Sequence, residues 1–289
     1  MKTASMSLAA VMLLTATTAH AQAFVFSTGA PDGRLGSASN PGRVGVLERE
    51  TADDFLLGQA TRLNKASFYG LLPMGTSLAD ITAVDVEIYR VFPFDSDVGR
   101  TSGSPTFSTA EVPTRVNSPS DDAFAIRSAG SDLTFSATQL APSFTVFNSV
   151  INGINPKPGN LTGGEGPVTG EEVLFDVMFT NPIDLLAGSY FFVPQVGLSG
   201  GAFPFLWLSA ARPTSPPFSP DLQSWIRDEN LDPDWLRIGT DIVGGTTYNA
   251  AFTVSGSTTT TPEPSTLVLL ASGLGVLGGV ALRRRRHNV

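Results

Sequence analysis

Val173-Leu174-Phe175-Asp176-Val177-Met178-Phe179 decides the fold. Val173, Phe175, Val177 and Phe179 fall at every second position, and Leu174, Asp176 and Met178 fill the places between. A strand sends successive side chains to opposite faces, so this period of two predicts a strand with one face in a core. β-branched and aromatic residues at the inward positions fit a pleated, half-buried surface.

The same rhythm recurs along the chain. Val84-Asp85-Val86-Glu87-Ile88 alternates cleanly. Tyr190, Phe192 and Val193 continue a second strand after a turn near Gly188, and Tyr248, Ala250, Phe252 and Val254 form a late one. Further strand candidates are Ala52 to Leu57, Ala66 to Leu71, Ala123 to Ile126, Leu133 to Phe135, Phe144 to Val150 and Phe205 to Leu208. That makes about ten strands, enough for two packed sheets. Short apolar runs separated by Pro, Gly, Ser and Thr point to an all-β, two-sheet β-sandwich, jelly-roll-like, rather than an α/β chain. Asn155 to Gly170 and Pro213 to Pro220 read as long loops.

One short helix is predicted within this β frame. Ser219 suits the N-cap, Pro220 the first helical position, and Asp221 the positive end of the helix dipole. Leu222, Trp225 and Ile226 then share a face, and the helix ends near Asn230, ahead of Pro233.

The two ends read differently from the body. Residues 1–23 have the form of a secretory signal peptide with a signal helix: Lys2, an apolar stretch from Met6 to about Thr15, then small residues at Ala19, Ala21 and Ala23. Cleavage after Ala23 is preferred over Ala21, because strand-like Phe24-Val25-Phe26 follows. The sandwich is then expected over 24–254, and a Ser/Thr-rich linker over 255–261. Residues 262–289 hold Pro262-Glu263-Pro264, an uncharged apolar run over 265–282, and Arg283-Arg284-Arg285-Arg286. Eighteen residues at about 1.5 Å each give roughly 27 Å, close to a hydrocarbon core of about 30 Å. A transmembrane helix is the expectation, with the arginines as a membrane stop on the cytoplasmic side and the body across the inner membrane.

This order of short motif, apolar segment and basic end resembles the tripartite tail of PEP-CTERM proteins. The resemblance implies sorting by the membrane protease exosortase, which recognises Pro262, Glu263 and Pro264 and cleaves nearby. It also implies a single-pass membrane precursor, delivery to the cell surface or outside the cell, and association with extracellular polysaccharide and biofilm. Asp53-Asp54-Phe55 looks similar to a segment of many exported bacterial sandwich domains with surface anchors.

Composition limits the chemistry of the body. The chain has no cysteine and two histidines, His20 in the signal region and His287 in the tail. No disulfide can staple the exported domain, so its core must hold it. The absence of imidazole and thiol excludes Ser-His-Asp and Cys-His catalysis and thiolate or imidazole zinc sites. A metal would need oxygen donors, which puts calcium first. The formal charge is −8; removal of Lys2 and the four tail arginines takes away five positive charges and leaves −13. Such a surface disfavours nucleic acid and anionic lipid.

Three constellations merit a structural answer. Trp225, Trp235 and Asp228 could bind sugar if the indoles are exposed, since rings stack on apolar sugar faces while carboxylates accept hydrogen bonds from sugar hydroxyls. Asp95-Ser96-Asp97 followed by Gly99 resembles the opening of a calcium loop without its later ligands, and Asp53-Asp54 and Asp121-Asp122 are further acidic pairs. Paired carboxylates across one cleft could hydrolyse a glycoside. The sequence reading is a non-catalytic exported surface or matrix protein without a cofactor, handled by the secretion machinery and exosortase. A carbohydrate-binding module and a carboxylate-based glycoside hydrolase are the alternatives.

Overall fold

The computed structural model describes residues 21–100, 112, 114–154, 161–200, 203–211 and 221–258. In chain order the strands are β1 (Ala23–Ser27), β2 (Pro31–Ala38), β3 (Arg49–Leu57), β4 (Thr61–Leu72), β5 (Ile81–Arg90), β6 (Ala125–Ser128), β7 (Leu133–Val146) and β8 (Asn148–Val150). They continue as β9 (Val168–Leu185), β10 (Gly188–Leu198), β11 (Leu206–Ala210), β12 (Trp225–Asp228), β13 (Leu236–Arg237), β14 (Asn249–Ala250) and β15 (Phe252–Thr258). They form two sheets. The larger runs β1-β15-β4-β11-β2-β8, with β9 and then β7 added beside β4 and β14 beside β11. The smaller runs β13-β12-β3-β10-β5-β6. Two packed sheets of largely antiparallel strands make the predicted β-sandwich.

The opening stretch lies in the middle of β9, whose Val173, Phe175, Val177 and Phe179 are buried while Asp176 and Met178 are exposed. Antiparallel pairing to β4 sets Phe175 beside Phe68 and Val177 beside Ala66. Phe68 and Phe175 stack with their rings 4.9 Å apart. From the smaller sheet Phe55, Val86, Ile88 and Phe192 meet this face, and Phe192 stacks on Phe252 of β15 at 5.2 Å. At Gly70 the Phe205 ring packs directly on the backbone and leaves no room for a side chain: a Cβ there would fall within the ring.

β5 behaves as its alternation predicts inside the sandwich, with Val84, Val86 and Ile88 buried, but its other face is covered as well: Glu87 and Tyr89 are also buried. The same holds for β10, where Tyr190 to Leu198 are buried on both faces. The outer face of the smaller sheet carries a second apolar layer built from Ala52, Tyr89, Phe191, Val193, Leu222, Trp225 and Trp235.

The structure corrects three expectations. The helix of 219–230 does not form among its described residues: Trp225–Asp228 is the strand β12, paired with β3. Gln223 takes a left-handed backbone conformation (φ 62°) and the Asp221 carboxylate caps the Gln223 N–H at 2.8 Å, a turn that interrupts any helix. The linker begins later than 255, because β15 continues through Thr258 with Thr258 paired to Thr61, so the sandwich extends past 254. The second half of the long loop is also shorter, since Val168 to Gly170 belong to β9.

The described sandwich residues fall in a compact unit, Ala23–Thr259. The body of the signal peptide, the tail 262–289 and the loop 213–220 lie outside the described residues. Among the described residues no helix is long and apolar enough to cross a membrane.

Candidate functional site

Trp225 and Trp235 are not a sugar platform. They are 1% and 2% exposed, with Trp225 Nε1 donating to Leu222 O (2.9 Å) and Trp235 Nε1 to Ser120 O (3.0 Å). A ring with no free face cannot stack on a sugar, and both indole N–H groups are satisfied internally. Their role is to seat the segments 221–224 and 231–235 on the outside of the smaller sheet. Asp228 likewise serves its own turn, accepting the N–H groups of Asn230 and Leu231 at 3.0 Å each.

Asp95 and Asp97 do not converge on a metal. Both oxygens of Asp95 are held by the Arg90 guanidinium, with Nε at 2.6 Å. Asp97 Oδ1 caps the Gly99 N–H at 2.9 Å. The calcium-loop spacing is a turn closed by an arginine. Among the described residues no group of three or more His, Cys, Asp or Glu is placed to hold a metal ion.

A buried polar cluster that no motif marks joins β3, β5 and β12. Register places Arg227 of β12 directly opposite Glu50 of β3, a cross-strand charge pair. Arg227 Nε donates to Glu50, Nη2 to Tyr89 Oη (2.8 Å) and Nη1 to the Asp121 carbonyl (3.0 Å). The guanidinium also lies over the Trp235 ring at 4.4 Å. Tyr89 Oη is 2.7 Å from both Glu50 Oε1 and Glu87 Oε2. The phenol has one proton to give and Arg227 already donates to its oxygen, so one of the two carboxyl groups must itself carry a proton.

That group is Glu87. Burial, then the Glu50 charge, push its carboxyl up to about 8. Glu50 is the carboxyl group that Arg227 faces. Burial works against the charge on the Arg227 guanidinium, but Glu50, Tyr89 and Asp232 together hold it more firmly protonated than usual. This cluster lies on a cleft of about 220 Å³ whose rim includes Glu48, Asp122, Glu229 and Asp232.

Glu50 and Glu87 share this cleft, but their spacing is not that of a glycosidase pair. Glu50 and Glu87 are in hydrogen-bond contact with each other and with one phenol oxygen. Glycosidase pairs stand about 5–5.5 Å or 6.5–9.5 Å apart so that the sugar or a water fits between them. Here the gap is closed by Tyr89, and the cluster reads as a brace joining β3, β5 and β12.

A further concavity is a groove of about 470 Å³ on the outer face of the larger sheet. Register aligns Ser136, Asp176, Ser67, Thr253 and Ser27 in a row across five strands. Thr134, Met178, Lys65 and Ser255 line up beside them. This is an outward face of hydroxyl groups, with one lysine and one aspartate in the groove.

No curated protein matches the chain, and no solved structure does. Residues 260–286 match the family model described as the PEP-CTERM protein-sorting motif. The match takes in Pro262, Glu263, Pro264 and the four arginines, and it begins two residues after β15 ends. The chain thus carries, directly after its sandwich, the PEP-CTERM sorting motif that marks exosortase substrates.

Proposed function

We propose that this chain is a non-catalytic surface or matrix protein: a sandwich exported with a signal peptide, delivered by its tail, and displayed or released after exosortase cuts near Pro262-Glu263-Pro264. The observation that carries this reading is the match over 260–286, placed immediately after the last strand of a self-contained sandwich. The absence of His and Cys from the body supports service by binding rather than by chemistry. The apolar run 265–282 would hold the precursor in the membrane until cleavage. The hydroxyl-lined groove supports contact with hydroxylated extracellular polymer, since Ser, Thr and Asp side chains can exchange hydrogen bonds with sugar hydroxyls.

The delivery half of this reading is tested by transplanting residues 259–289 onto an unrelated exported reporter in a host that contains exosortase. The reporter should lose the tail and leave the inner membrane. A reporter retained in the membrane at full length would overturn the reading. The polymer half is tested by co-sedimentation of the protein with the host's exopolysaccharide, comparing wild type with Asp176→Ala. Weaker sedimentation of the variant is expected, and no sedimentation of wild type would exclude it.

A further inference from the structure

β7 lies outside β9 at one edge of the larger sheet. It pairs with β9 along one side, and among the described residues no strand pairs with its other side. From Gln139 onward the register is interrupted twice, and Pro142 takes away an amide donor. From Leu133 to Gln139 the register is continuous. Leu133 turns its carbonyl away from β9 to accept the Gly130 N–H at 3.2 Å, where it bridges to Ala129. In an antiparallel ladder every second residue aims its backbone groups the same way. Phe135 and Ala137 therefore present their N–H and C=O outward, and among the described residues nothing meets them.

Natural sheets guard such an edge with charge, proline, a bulge or brevity. The strands β1, β6, β8 and β13, which end the other rows, have five, four, three and two residues. β7 has 14, none of them Asp, Glu, Lys or Arg. In a chain of formal charge −8, this is a stretch along which two copies can meet without opposing like charges. The strand is also complementary to itself. Thr134, Ser136 and Thr138 are exposed on the outer face, while Phe135 and Ala137 pack against the core and stay half-buried at its open side. Antiparallel pairing about Ser136 sets Phe135 against Ala137 of the second copy and Thr134 against Thr138 of the second copy. Apolar groups then meet on the inner face and hydroxyl groups on the outer one.

We propose that the protein forms a two-fold dimer in which β7 of one copy pairs with β7 of another, so that the two larger sheets become one. Like-with-like pairing closes after two copies, as an isologous contact must. It gives the outward N–H and C=O groups of Phe135 and Ala137 their partners and covers the open side of the core. The outer row of hydroxyl groups then continues from one copy into the next. The pairing stands whether or not that row binds polymer, and it is independent of how the tail is processed.

The chain has no cysteine, so a single introduced thiol reports the contact. In this register the two Ser136 positions form a non-hydrogen-bonded pair with Cα atoms about 4.5 Å apart, a separation a disulfide spans. The full chain carrying Ser136→Cys, in detergent and oxidised with copper phenanthroline, should run as a dimer on a non-reducing gel and return to monomer with dithiothreitol. Val25→Cys, 66% exposed on β1 at the opposite edge, should remain monomeric. Ala137→Pro removes an outward N–H that has no partner within the chain. Added to Ser136→Cys, it should keep the circular dichroism spectrum and lower the cross-linked fraction at least about tenfold. Thr134→Lys with Thr138→Lys, two exposed positions set opposite each other across the axis, should do the same if the proline variant fails to fold. A Ser136→Cys chain that does not cross-link would overturn the proposal. Equal cross-linking of Val25→Cys, or cross-linking undiminished in a folded edge-blocking variant, would overturn it as well.

Discussion

Phe24 lies directly opposite Gly256, where β1 pairs with the end of β15. The strand that follows the signal region and the strand that precedes the sorting motif are thus neighbours in one sheet. β1 depends on β15, because β1 is an edge strand whose partner is β15, while β15 is held on its other side by β4.

Phe26 is the anchor of that edge. It is 3% exposed, with its ring 6.1 Å from Phe55 and 5.7 Å from Phe252. Replacing it with alanine removes a buried aromatic from between the sheets. Phe26→Ala should cost about 3–5 kcal/mol, read by chemical denaturation. A loss below about 1 kcal/mol would mean that β1 is not part of the core as described.

The Glu50–Tyr89–Glu87 brace makes stability depend on pH. An unperturbed glutamate titrates near 4.5, while burial and the Glu50 charge hold Glu87 protonated in the fold up to about 8. Between those values the folded chain keeps a proton that the unfolded chain has released. Stability contributed by this group is therefore fully present below about 4.5 and is lost as pH rises towards 8. Glu50, Tyr89 and Arg227 face it directly, and Glu48, Asp122 and Asp232 line the cleft outside. Glu87→Gln keeps a donor for Glu50 and cannot ionise. Its melting temperature should gain on wild type as pH goes from 5 to 8, measured by differential scanning fluorimetry; parallel curves would show that Glu87 does not titrate in this window.

All three tryptophans are buried, Trp207 at 1% with Trp225 and Trp235. Native fluorescence should be resistant to iodide and emit at short wavelength, and unfolding in guanidinium should abolish both properties. Strong quenching of the native protein would contradict the packing of Trp225 and Trp235 against the smaller sheet and would reopen them as a ligand platform.

Much of the sandwich was legible in the sequence where one face of a strand meets solvent. Val173 to Phe179 reads correctly because Asp176 and Met178 stay exposed. Pro31 to Ala38 was not legible: Pro31, Gly33 and Gly36 argue against a strand, and β2 exists because β11 and β8 pair with it on either side. Around Trp225 the local signals of a helix were sound, but pairing of Arg227 to Glu50 across 177 residues outweighed them. The same distance hid the brace, since neither Glu50, Glu87 nor Arg227 stands in a motif. Glu87 looked solvated because its strand alternates, and only the second layer outside the sheet buries it. Asp53-Asp54 did stand out as an acidic pair, yet the donors that hold it, on Leu222, Ser224 and Ala250, come from far along the chain. The sorting motif was legible, because its signal is a linear order of residues rather than a contact.

The central claim is that Pro262-Glu263-Pro264 directs processing of this protein. Replacing the three residues with alanine in an exosortase-containing host, and following size and location by immunoblot of membrane and released fractions, tests it most directly. The variant should accumulate in the membrane at the size of the uncut chain while wild type is shortened and leaves it. Identical processing of variant and wild type would contradict the account.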